Sequence, residues 1–183
     1  MTLIVVTGPA RSGKSEFAET LARDSGRSVT YIATSRVDTD DREWETRIDR
    51  HRRRRPPAWE TREVPVELAA AVAAADGSGC VLVDSLGTWV ANTLDREEED
   101  WNILCDDLRH SLLQTSATVI LVAEETGWGV VPAYPIGRKF RDRLGMLVRQ
   151  LGAASDTTYA IVAGYVLNLT QLGFPLGDRL AKP

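Results

Sequence analysis

The fold of this chain is decided by residues 3–15, Leu-Ile-Val-Val-Thr-Gly-Pro-Ala-Arg-Ser-Gly-Lys-Ser, where a short apolar run leads into Gly8, four further residues, Gly13, Lys14 and Ser15. The two glycines let the backbone turn so that successive N–H groups point at phosphate oxygens. Lys14 can then reach the β- and γ-phosphates, and the Ser15 hydroxyl is placed to ligate Mg²⁺. The stretch therefore predicts a strand, a nucleotide-binding P-loop and a helix.

The helix is predicted over residues 14–23. Phe17 lies four residues before Leu21, as Ala18 does before Ala22, which gives the helix an apolar face to bury. Its positive N-terminal end adds to the same anion site. The candidate nucleotide-binding residues of the loop are Gly8, Pro9, Ala10, Arg11, Ser12, Gly13, Lys14 and Ser15.

Composition limits the possible classes of protein. The chain has 183 residues, of which 43% are hydrophobic and 26% charged, enough for one α/β domain with a substantial core. A net charge of −4 and a pI of about 5.3 argue against a general nucleic-acid binder. The apolar runs are of strand length and no charged leader is apparent, so we expect no membrane span and a cytoplasmic location. Cys80 and Cys105 lack metal-ligand spacing, and we expect free, buried thiols.

Strand and helix patterns alternate along the rest of the chain. Strands are predicted over residues 29–33, 59–64, 80–83, 118–123 and 159–163, and helices over 38–54, 66–75, 86–94, 101–115 and 136–154. Residues 124–135 form a loop rich in Gly and Pro, and the tail over 165–183 shows little pattern. Near-continuous apolar strands alternating with helices predict a mostly parallel sheet covered by helices on both faces. We expect a single α/β domain over residues 1–183, of the RecA-like P-loop NTPase type.

One predicted strand ends in a carboxylate. Residues 81–83, Val-Leu-Val, run directly into Asp84. Because ligands of open α/β sheets collect at the carboxyl ends of strands, Asp84 and the P-loop are expected to meet there. An apolar strand ending in an acid is typical of the residue that supports Mg²⁺ in a P-loop enzyme. The simpler interpretation is an ordinary acidic residue at a strand end.

His51 begins a second candidate site. It is one of only two histidines, and the four residues that follow it are Arg52, Arg53, Arg54 and Arg55. A histidine nitrogen can attack an α-phosphorus and carry a nucleotidyl group, while guanidinium groups neutralise the phosphates. Two simpler interpretations compete with this one: a histidine packed on the same helix face as Trp44 and Ile48, and a solvated run of arginines.

Several motifs occur in an order that resembles one known family. They are the P-loop, Tyr31-Ile-Ala-Thr-Ser35, Arg47-Ile-x-x-His51-x-x-x-Arg55-Pro56, Trp59-x-Thr61-x-Glu63, Asp84, Glu125-x-Gly127-x-Gly129-x-Val131-Pro132 and Arg138-x-Phe140-Arg141-Asp142-x-x-Gly145. The series resembles the bifunctional adenosylcobinamide kinase/adenosylcobinamide-phosphate guanylyltransferases of cobalamin biosynthesis, over about residues 3–163. The P-loop alone does not select this family, but the His51 motif and the block over residues 125–145 together are specific.

The resemblance implies two reactions on one P-loop scaffold. In the first, ATP or GTP, with Mg²⁺, gives its γ-phosphoryl group to the terminal hydroxyl of the aminopropanol arm of adenosylcobinamide. In the second, GTP donates GMP to an active-site histidine with loss of pyrophosphate, and the cobinamide phosphate takes the GMP to give adenosylcobinamide-GDP. His51 matches the guanylylated histidine, and Lys14 is the catalytic lysine of the P-loop.

The resemblance also implies roles for residues beyond the P-loop. The positions that match nucleotide-binding positions are Thr34, Ser35, Arg36, Arg52, Arg53, Arg54, Arg55, Glu63 and Asp84. Ser15 and Asp84 are the candidate Mg²⁺ residues. The family often has Glu at position 84, so the shorter Asp84 is expected to reach Mg²⁺ through water.

The family further implies an assembly, and the chain departs from its pattern at several positions, among them Pro9 in place of Gly, Trp44 in place of Met, and Glu124. Members are homotrimers with sites between subunits, so the helix that carries His51 would serve the P-loop of a neighbouring chain. Glu124 stands where Asn is common and places a second carboxylate beside the site. Extra negative charge there would weaken nucleotide binding or attract a metal.

Other functions remain open at the level of sequence. A P-loop small-molecule kinase would never use His51. A nucleotide-dependent switch or regulatory module is a second alternative, but the chain lacks the Asn-Lys-x-Asp element of switch GTPases, and its three lysines are Lys14, Lys139 and Lys182. Nucleic-acid binding through the arginine run would show steep salt dependence, and the low pI disfavours it.

Overall fold

A computed structural model of the chain describes residues 2–35 and 55–176. The strands in these ranges are β1 (Thr2–Gly8), β2 (Val29–Ala33), β3 (Glu60–Glu63), β4 (Cys80–Asp84), β5 (Thr118–Glu124), β6 (Thr157–Val162) and β7 (Tyr165–Asn168). The helices are α1 (Lys14–Asp24), α2 (Leu68–Ala73), α3 (Leu86–Ala91), α4 (Glu98–Gln114), α5 (Pro135–Ala154) and α6 (Leu169–Leu172). The helix predicted over residues 38–54 lies outside the described residues.

The described strands form one sheet in the order β3-β2-β4-β5-β1-β6-β7. Neighbouring strands are parallel except for β7, which runs antiparallel to β6. The strand that leads to the P-loop, β1, lies inside the sheet between β5 and β6. The mostly parallel sheet predicted from the alternating pattern is confirmed.

Alternate residues of the central strands pack on opposite faces of the sheet, because successive side chains of a strand point to opposite sides. Val81 and Val83 of β4 join the core beneath α2, α3, α4 and α5. Cys80 and Leu82 join the core that α1 covers. Burial on both faces explains why these strands are continuous apolar runs, and it confirms the predicted helical layers.

Helix α1 buries the face that its sequence predicts. Ala18 and Ala22 are fully buried, and Phe17 and Leu21 pack partly buried against the same cluster. The Phe17 ring meets the Tyr159 ring edge to face, with the centroids 5.1 Å apart. This packing fixes the helix, and with it the loop that precedes it, against the sheet.

Helix α5 is joined to the segment between α3 and α4 by a buried arginine. The Arg143 side chain donates to the carbonyl oxygens of Thr93 at 3.2 Å and of Arg96 at 2.9 Å. Its guanidinium carbon lies 4.9 Å from the centroid of the Trp101 ring. Only 4% of Arg143 is exposed, so this polar contact lies inside the protein.

Most predicted elements agree with the structure to within three residues at each end, and the differences at the start of α4 and in the tail have a physical reason. Helix α4 begins at Glu98, three residues before the predicted start, because the acidic residues 98–100 form its first turn, where the helix dipole favours negative charge. The tail after Gly164, predicted to have little pattern, forms β7 and α6. The chain turns into β7 through Ala163 and Gly164, whose φ angles are 51° and 82°.

Within residues 2–35 and 55–176, no helix has both the length and the apolar character needed to cross a bilayer.

Candidate active site

The loop between β1 and α1 has a backbone that requires its glycines. Gly13 has φ of 94°, in the left-handed region that glycine adopts without strain. A Cβ atom on Gly8 would lie 2.5 Å from the carbonyl oxygen of Ile161 and 2.8 Å from the Ser12 hydroxyl oxygen. Both glycines of the motif are therefore needed for the loop to close beside β6.

The polar groups of the loop fit a phosphate. Lys14 is 7% exposed, and its ammonium group donates to the carbonyl oxygen of Pro9 at 3.3 Å, so the side chain folds back over the loop. The Ser12 hydroxyl is buried and has no hydrogen-bond partner in the described part of the chain. Because a buried hydroxyl without a partner costs free energy, a phosphate oxygen is the acceptor that this position fits.

The first turn of α1 also fits an anion. Gly13 is the N-cap residue, and no side chain caps the N–H groups that follow it. Those N–H groups have no partner within the helix, and they carry the positive end of its dipole. A phosphate at the loop would therefore accept hydrogen bonds from the loop amides and would also lie at the positive end of the helix dipole.

The other candidates lie along the carboxyl ends of neighbouring strands. In the strand register, Glu63 of β3 pairs with Ala33 of β2, and Ala33 also pairs with Asp84 of β4. Adjacent strands lie about 4.8 Å apart, so Asp84 is about 10 Å from β1 and Glu63 is about 19 Å from it. The structure thus brings Asp84 close to the P-loop and leaves Glu63 at the far edge of the sheet.

Asp84 is held by a tyrosine from the next strand. The Tyr31 hydroxyl donates to Asp84 Oδ2 at 2.8 Å. Tyr31 is 1% exposed, and the guanidinium carbon of Arg55 lies 3.5 Å from the centroid of its ring. Burial, followed by the charge of Asp84, raises the pKa of Tyr31 well above its ordinary value, so the hydroxyl stays a proton donor.

The oxygen donors at this edge fit Mg²⁺ bound together with a nucleotide. Asp84 offers a carboxylate and Ser15 a hydroxyl, both hard oxygen ligands. Within the two described ranges, no group of three or more His, Cys, Asp or Glu side chains is arranged to hold a metal. Mg²⁺ needs no such cage, because it takes its remaining ligands from water and substrate phosphates.

Two consecutive glutamates at the end of β5 have separate partners. Glu124 Oε2 accepts a hydrogen bond of 3.0 Å from the backbone N–H of Gly87 at the start of α3. Glu125 Oε1 accepts from the Thr7 hydroxyl at 2.9 Å, and its own N–H donates to the carbonyl oxygen of Gly8 at 2.9 Å. The extra carboxylate of Glu124 thus contacts α3, while Glu125 supports the end of β1.

The turn after β2 is fixed to the start of α3. Thr34 is fully buried; its hydroxyl donates to the carbonyl oxygen of Ser85 at 2.7 Å and accepts from the Ser85 N–H at 3.0 Å. The Asn92 amide donates to the Thr34 carbonyl oxygen at 2.7 Å. The Thr34 hydroxyl already makes its hydrogen bonds inside the protein. Within this turn, Ser35, which is half-buried, is therefore the described residue that could contact a nucleotide.

Five predicted site residues lie outside the described ranges: Arg36, His51, Arg52, Arg53 and Arg54. Arg55 is the residue of the arginine run that the structure describes, and it lies at the Tyr31 ring, beside Asp84. The roles of Arg55 and of the other five stay predictions.

The contact between Tyr31 and Asp84 was not predicted, although the strand pattern contains a signal for it. Tyr31 pairs with Leu82, and Asp84 follows Leu82 by two residues, so all three side chains share one face of the sheet. Diagonal neighbours on adjacent strands come within reach when one side chain is long. Strand order is needed to use this signal, because it decides which strand lies beside β4.

Comparison with known proteins places these features in a family. A sequence profile of the CobU family, described as cobinamide kinase / cobinamide phosphate guanyltransferase, matches residues 4–169. The bifunctional adenosylcobalamin biosynthesis protein CobP of Pseudomonas aeruginosa is 38% identical over 176 residues, which are 90% of this chain and 95% of that protein. The corresponding protein CobU of Escherichia coli is 37% identical over 177 residues, 88% of this chain and 96% of that protein.

A solved structure supports the fold. An ATPase from the type III secretion system of pathogenic bacteria matches with a TM-score of 0.55 at 11% identity, over 98% of this chain and 60% of that chain. At this identity the likeness concerns the fold alone. It agrees with the α/β P-loop NTPase architecture seen in the order of the strands.

Proposed function

The chain belongs to the cobinamide kinase / cobinamide phosphate guanyltransferase family, and from this membership we infer that it has both activities in cobalamin biosynthesis. As an adenosylcobinamide kinase it phosphorylates the aminopropanol hydroxyl. As an adenosylcobinamide-phosphate guanylyltransferase it then adds GMP from GTP and releases pyrophosphate. The observation that carries this conclusion is the family match over residues 4–169, which includes a P-loop with the backbone that phosphate binding requires.

We propose that residues 8–15 bind the nucleotide phosphates in the kinase step. The Lys14 ammonium would neutralise charge on the transferred phosphoryl group, and the loop amides would orient it toward the acceptor hydroxyl. When bound, Mg²⁺ supplies further positive charge against the phosphates. Ser15 and Asp84 are the residues proposed to hold it.

We propose that His51 is the nucleophile of the guanylyl transfer. One ring nitrogen attacks the α-phosphorus of GTP, forming a P–N bond as the bond to pyrophosphate breaks. An oxygen of the cobinamide phosphate then attacks the same phosphorus and displaces the histidine. The family resemblance supports this assignment, and so does Arg55, a guanidinium from the same run that lies near Asp84. The arginines over residues 52–55 would neutralise the phosphates.

Covalent labelling tests the division of labour between the two residues. The protein is incubated with GTP labelled at the α-phosphate or, separately, at the γ-phosphate, and is then denatured. We expect the α label alone to remain attached, to be acid-labile, and to be absent from His51→Ala. His110→Ala is the matched control, since this second histidine is exposed on α4.

The kinase step provides the second part of this test. Lys14→Ala should abolish phosphorylation of adenosylcobinamide, whereas His51→Ala should leave it intact. A protein that never retains the α label would be a kinase without guanylyl transfer. Equal loss of both activities in both variants would contradict the separate roles of Lys14 and His51.

We further propose that the chain works as a cytoplasmic homotrimer without a nucleic-acid partner. Support comes from the family resemblance and from apolar side chains exposed along β7 and α6, such as Tyr165 at 74% and Leu172 at 70%. A surface of this kind is typical of protein contacts. Sedimentation equilibrium would test the assembly by comparing its mass with that of three 20.1-kDa chains.

A further inference from the structure

We propose that Tyr31 is a positioning residue for both halves of the reaction: its hydroxyl orients the Asp84 carboxylate, and its ring orients the Arg55 guanidinium. The inference rests on the proposed function, in which Asp84 is assigned to Mg²⁺ and Arg55 to the phosphates of GTP. It adds a residue from the interior of β2 to the site.

The hydroxyl contact can fix the carboxylate because the tyrosine itself cannot move freely. Tyr31 is 1% exposed and belongs to the buried cluster that α1 covers. Its hydroxyl lies 2.8 Å from Asp84 Oδ2, the length of a good O–H···O hydrogen bond. Asp84 is the last residue of β4, and its backbone is still held in the sheet, where it pairs with Ala33 and Val122. A donor from the neighbouring strand therefore sets the direction in which this carboxylate presents its oxygens.

The ring contact acts on a different group. The Arg55 guanidinium carbon lies 3.5 Å from the ring centroid, well inside the range of a cation–π contact. Arg55 Nε is buried and has no hydrogen-bond partner within the described residues. The guanidinium is thus oriented by stacking on a rigid ring. Arg55 follows His51 by four positions in the sequence, so the stack fixes a residue close to the proposed nucleophile along the chain.

Substitutions can separate the two contacts because they use different parts of one side chain. Tyr31→Phe keeps the ring and removes the hydroxyl, whereas Tyr31→Leu removes both. Tyr159→Phe is a matched control, because Tyr159 is a half-buried tyrosine of β6 that packs against Phe17. Circular dichroism and the Tm of each variant establish that it is folded.

The test of the hydroxyl is the Mg²⁺ dependence of GTP binding, measured by calorimetry in proteins that also carry His51→Ala, so that GTP binds without forming the covalent intermediate. Mg²⁺ is expected to increase the affinity for GTP, and the Mg²⁺ concentration at which half of this increase is reached is the midpoint of the titration. For Tyr31→Phe we expect this midpoint to rise by about tenfold. The kinase rate should fall at low Mg²⁺ and recover at high Mg²⁺. Covalent α labelling at saturating Mg²⁺ should stay within about threefold of wild type, since the Arg55 stack is intact.

The test of the ring is covalent labelling at saturating Mg²⁺. Tyr31→Leu should label with α-labelled GTP at least about tenfold more slowly than Tyr31→Phe, and added Mg²⁺ should not restore the rate. If Tyr31→Leu does not fold, Arg55→Leu in the presence of Tyr31 replaces it. That variant should show the same labelling defect with an unchanged Mg²⁺ midpoint.

The outcomes distinguish this inference from the proposed function. Wild-type protein that never takes the α label contradicts the proposed guanylyl transfer itself. Wild-type protein that labels normally, together with a Tyr31→Phe midpoint within twofold of wild type, overturns the role of the hydroxyl. Equal labelling of the Phe and Leu variants, or of wild type and Arg55→Leu, overturns the role of the ring.

Discussion

Gly87 and Glu124 meet where the chain enters α3, and each restricts the other. The Glu124 carboxylate accepts a hydrogen bond from the Gly87 N–H, and a Cβ atom on Gly87 would overlap that carboxylate. The obstacle is the end of a flexible side chain and not backbone. Adding a methyl group should therefore displace the carboxylate and break its hydrogen bond, while the helix itself remains.

We expect Gly87→Ala to lower the free energy of unfolding by about 1–2 kcal/mol, because a buried N–H loses a charged acceptor. In a Glu124→Ala background the same change should cost nothing or should stabilise, because Ala forms helix more readily than Gly. Denaturant titration of the four proteins of this cycle gives the coupling energy. A coupling below about 0.5 kcal/mol would show that the two residues act independently.

Single residues were predictable where a local motif dictates the backbone. Gly8 and Gly13 were predicted from their spacing, and the structure requires glycine at both. The partners of Thr34 and Glu124 were not predictable in this way, because Ser85 and Gly87 lie on a different strand connection. Which connection faces which residue depends on the order of the strands in the sheet. The hydrophobic periodicity of a single sequence does not reveal that order.

At the scale of elements, Arg143 is the buried one of the two polar links that the described residues form between α5 and the turn before α4. We expect Arg143→Leu to lower the free energy of unfolding by about 2–4 kcal/mol, since the carbonyl oxygen of Thr93 loses its charged donor and that of Arg96 keeps only Lys139. Arg143→Lys should recover only part of this loss, because an ammonium group lacks the planar fork that reaches both oxygens. Thermal or urea unfolding provides the measurement.

Lys139 supplies the control for this link. Its ammonium also donates to the carbonyl oxygen of Arg96, at 3.0 Å, but Lys139 is only half-buried. Lys139→Ala should therefore cost less than about 1 kcal/mol, because water can replace the lost donor. Equal losses in Lys139→Ala and Arg143→Leu would argue against a special role for the buried arginine.

The position and the ends of an element are easier to predict from the sequence when the element is buried. The strands β4 and β5 are buried on both faces, so each is a continuous apolar run with clear ends. The edge strand β7 has four residues, mostly exposed, and its sequence Tyr-Val-Leu-Asn lacks the alternation that marks a half-buried strand. The sequence predicts the start of α4 three residues too late because residues 98–100 are acidic, which suits a loop as well as a first helical turn.

At the scale of the whole molecule, the two cysteines lie in different layers of the core, one on each face of the sheet. Cys80 belongs to the cluster beneath α1, and Cys105 to the cluster on the opposite face of the sheet. Both thiols are free and buried, as predicted. Burial raises the pKa of Cys105 to about 12 and raises that of Cys80 above its ordinary value.

These shifts predict both thiol reactivity and the pH dependence of stability. At pH 8 neither thiol of the native protein should react with Ellman's reagent, whereas both should react in denaturant. Because the folded pKa is above the unfolded value of about 8.5, the contribution of Cys105 is complete below that pH and is lost as the pH rises toward 12. Urea titrations from pH 8 to 11 should show falling stability, with a shallower fall in Cys105→Ala. A fall of equal steepness in that variant would assign the effect to other groups.

The central place of β1 has a consequence for how the enzyme is made. This strand begins at Thr2, yet its partners β5 and β6 begin at Thr118 and Thr157. At a synthesis rate of about 5–20 residues per second, a ribosome takes roughly 6–23 s to advance from β1 to β5. Until then neither the N–H of Glu125, which binds the Gly8 carbonyl oxygen, nor Ile161, which lies against Gly8, has been translated. The P-loop thus acquires the contacts that shape it only after β5 and β6 have been translated.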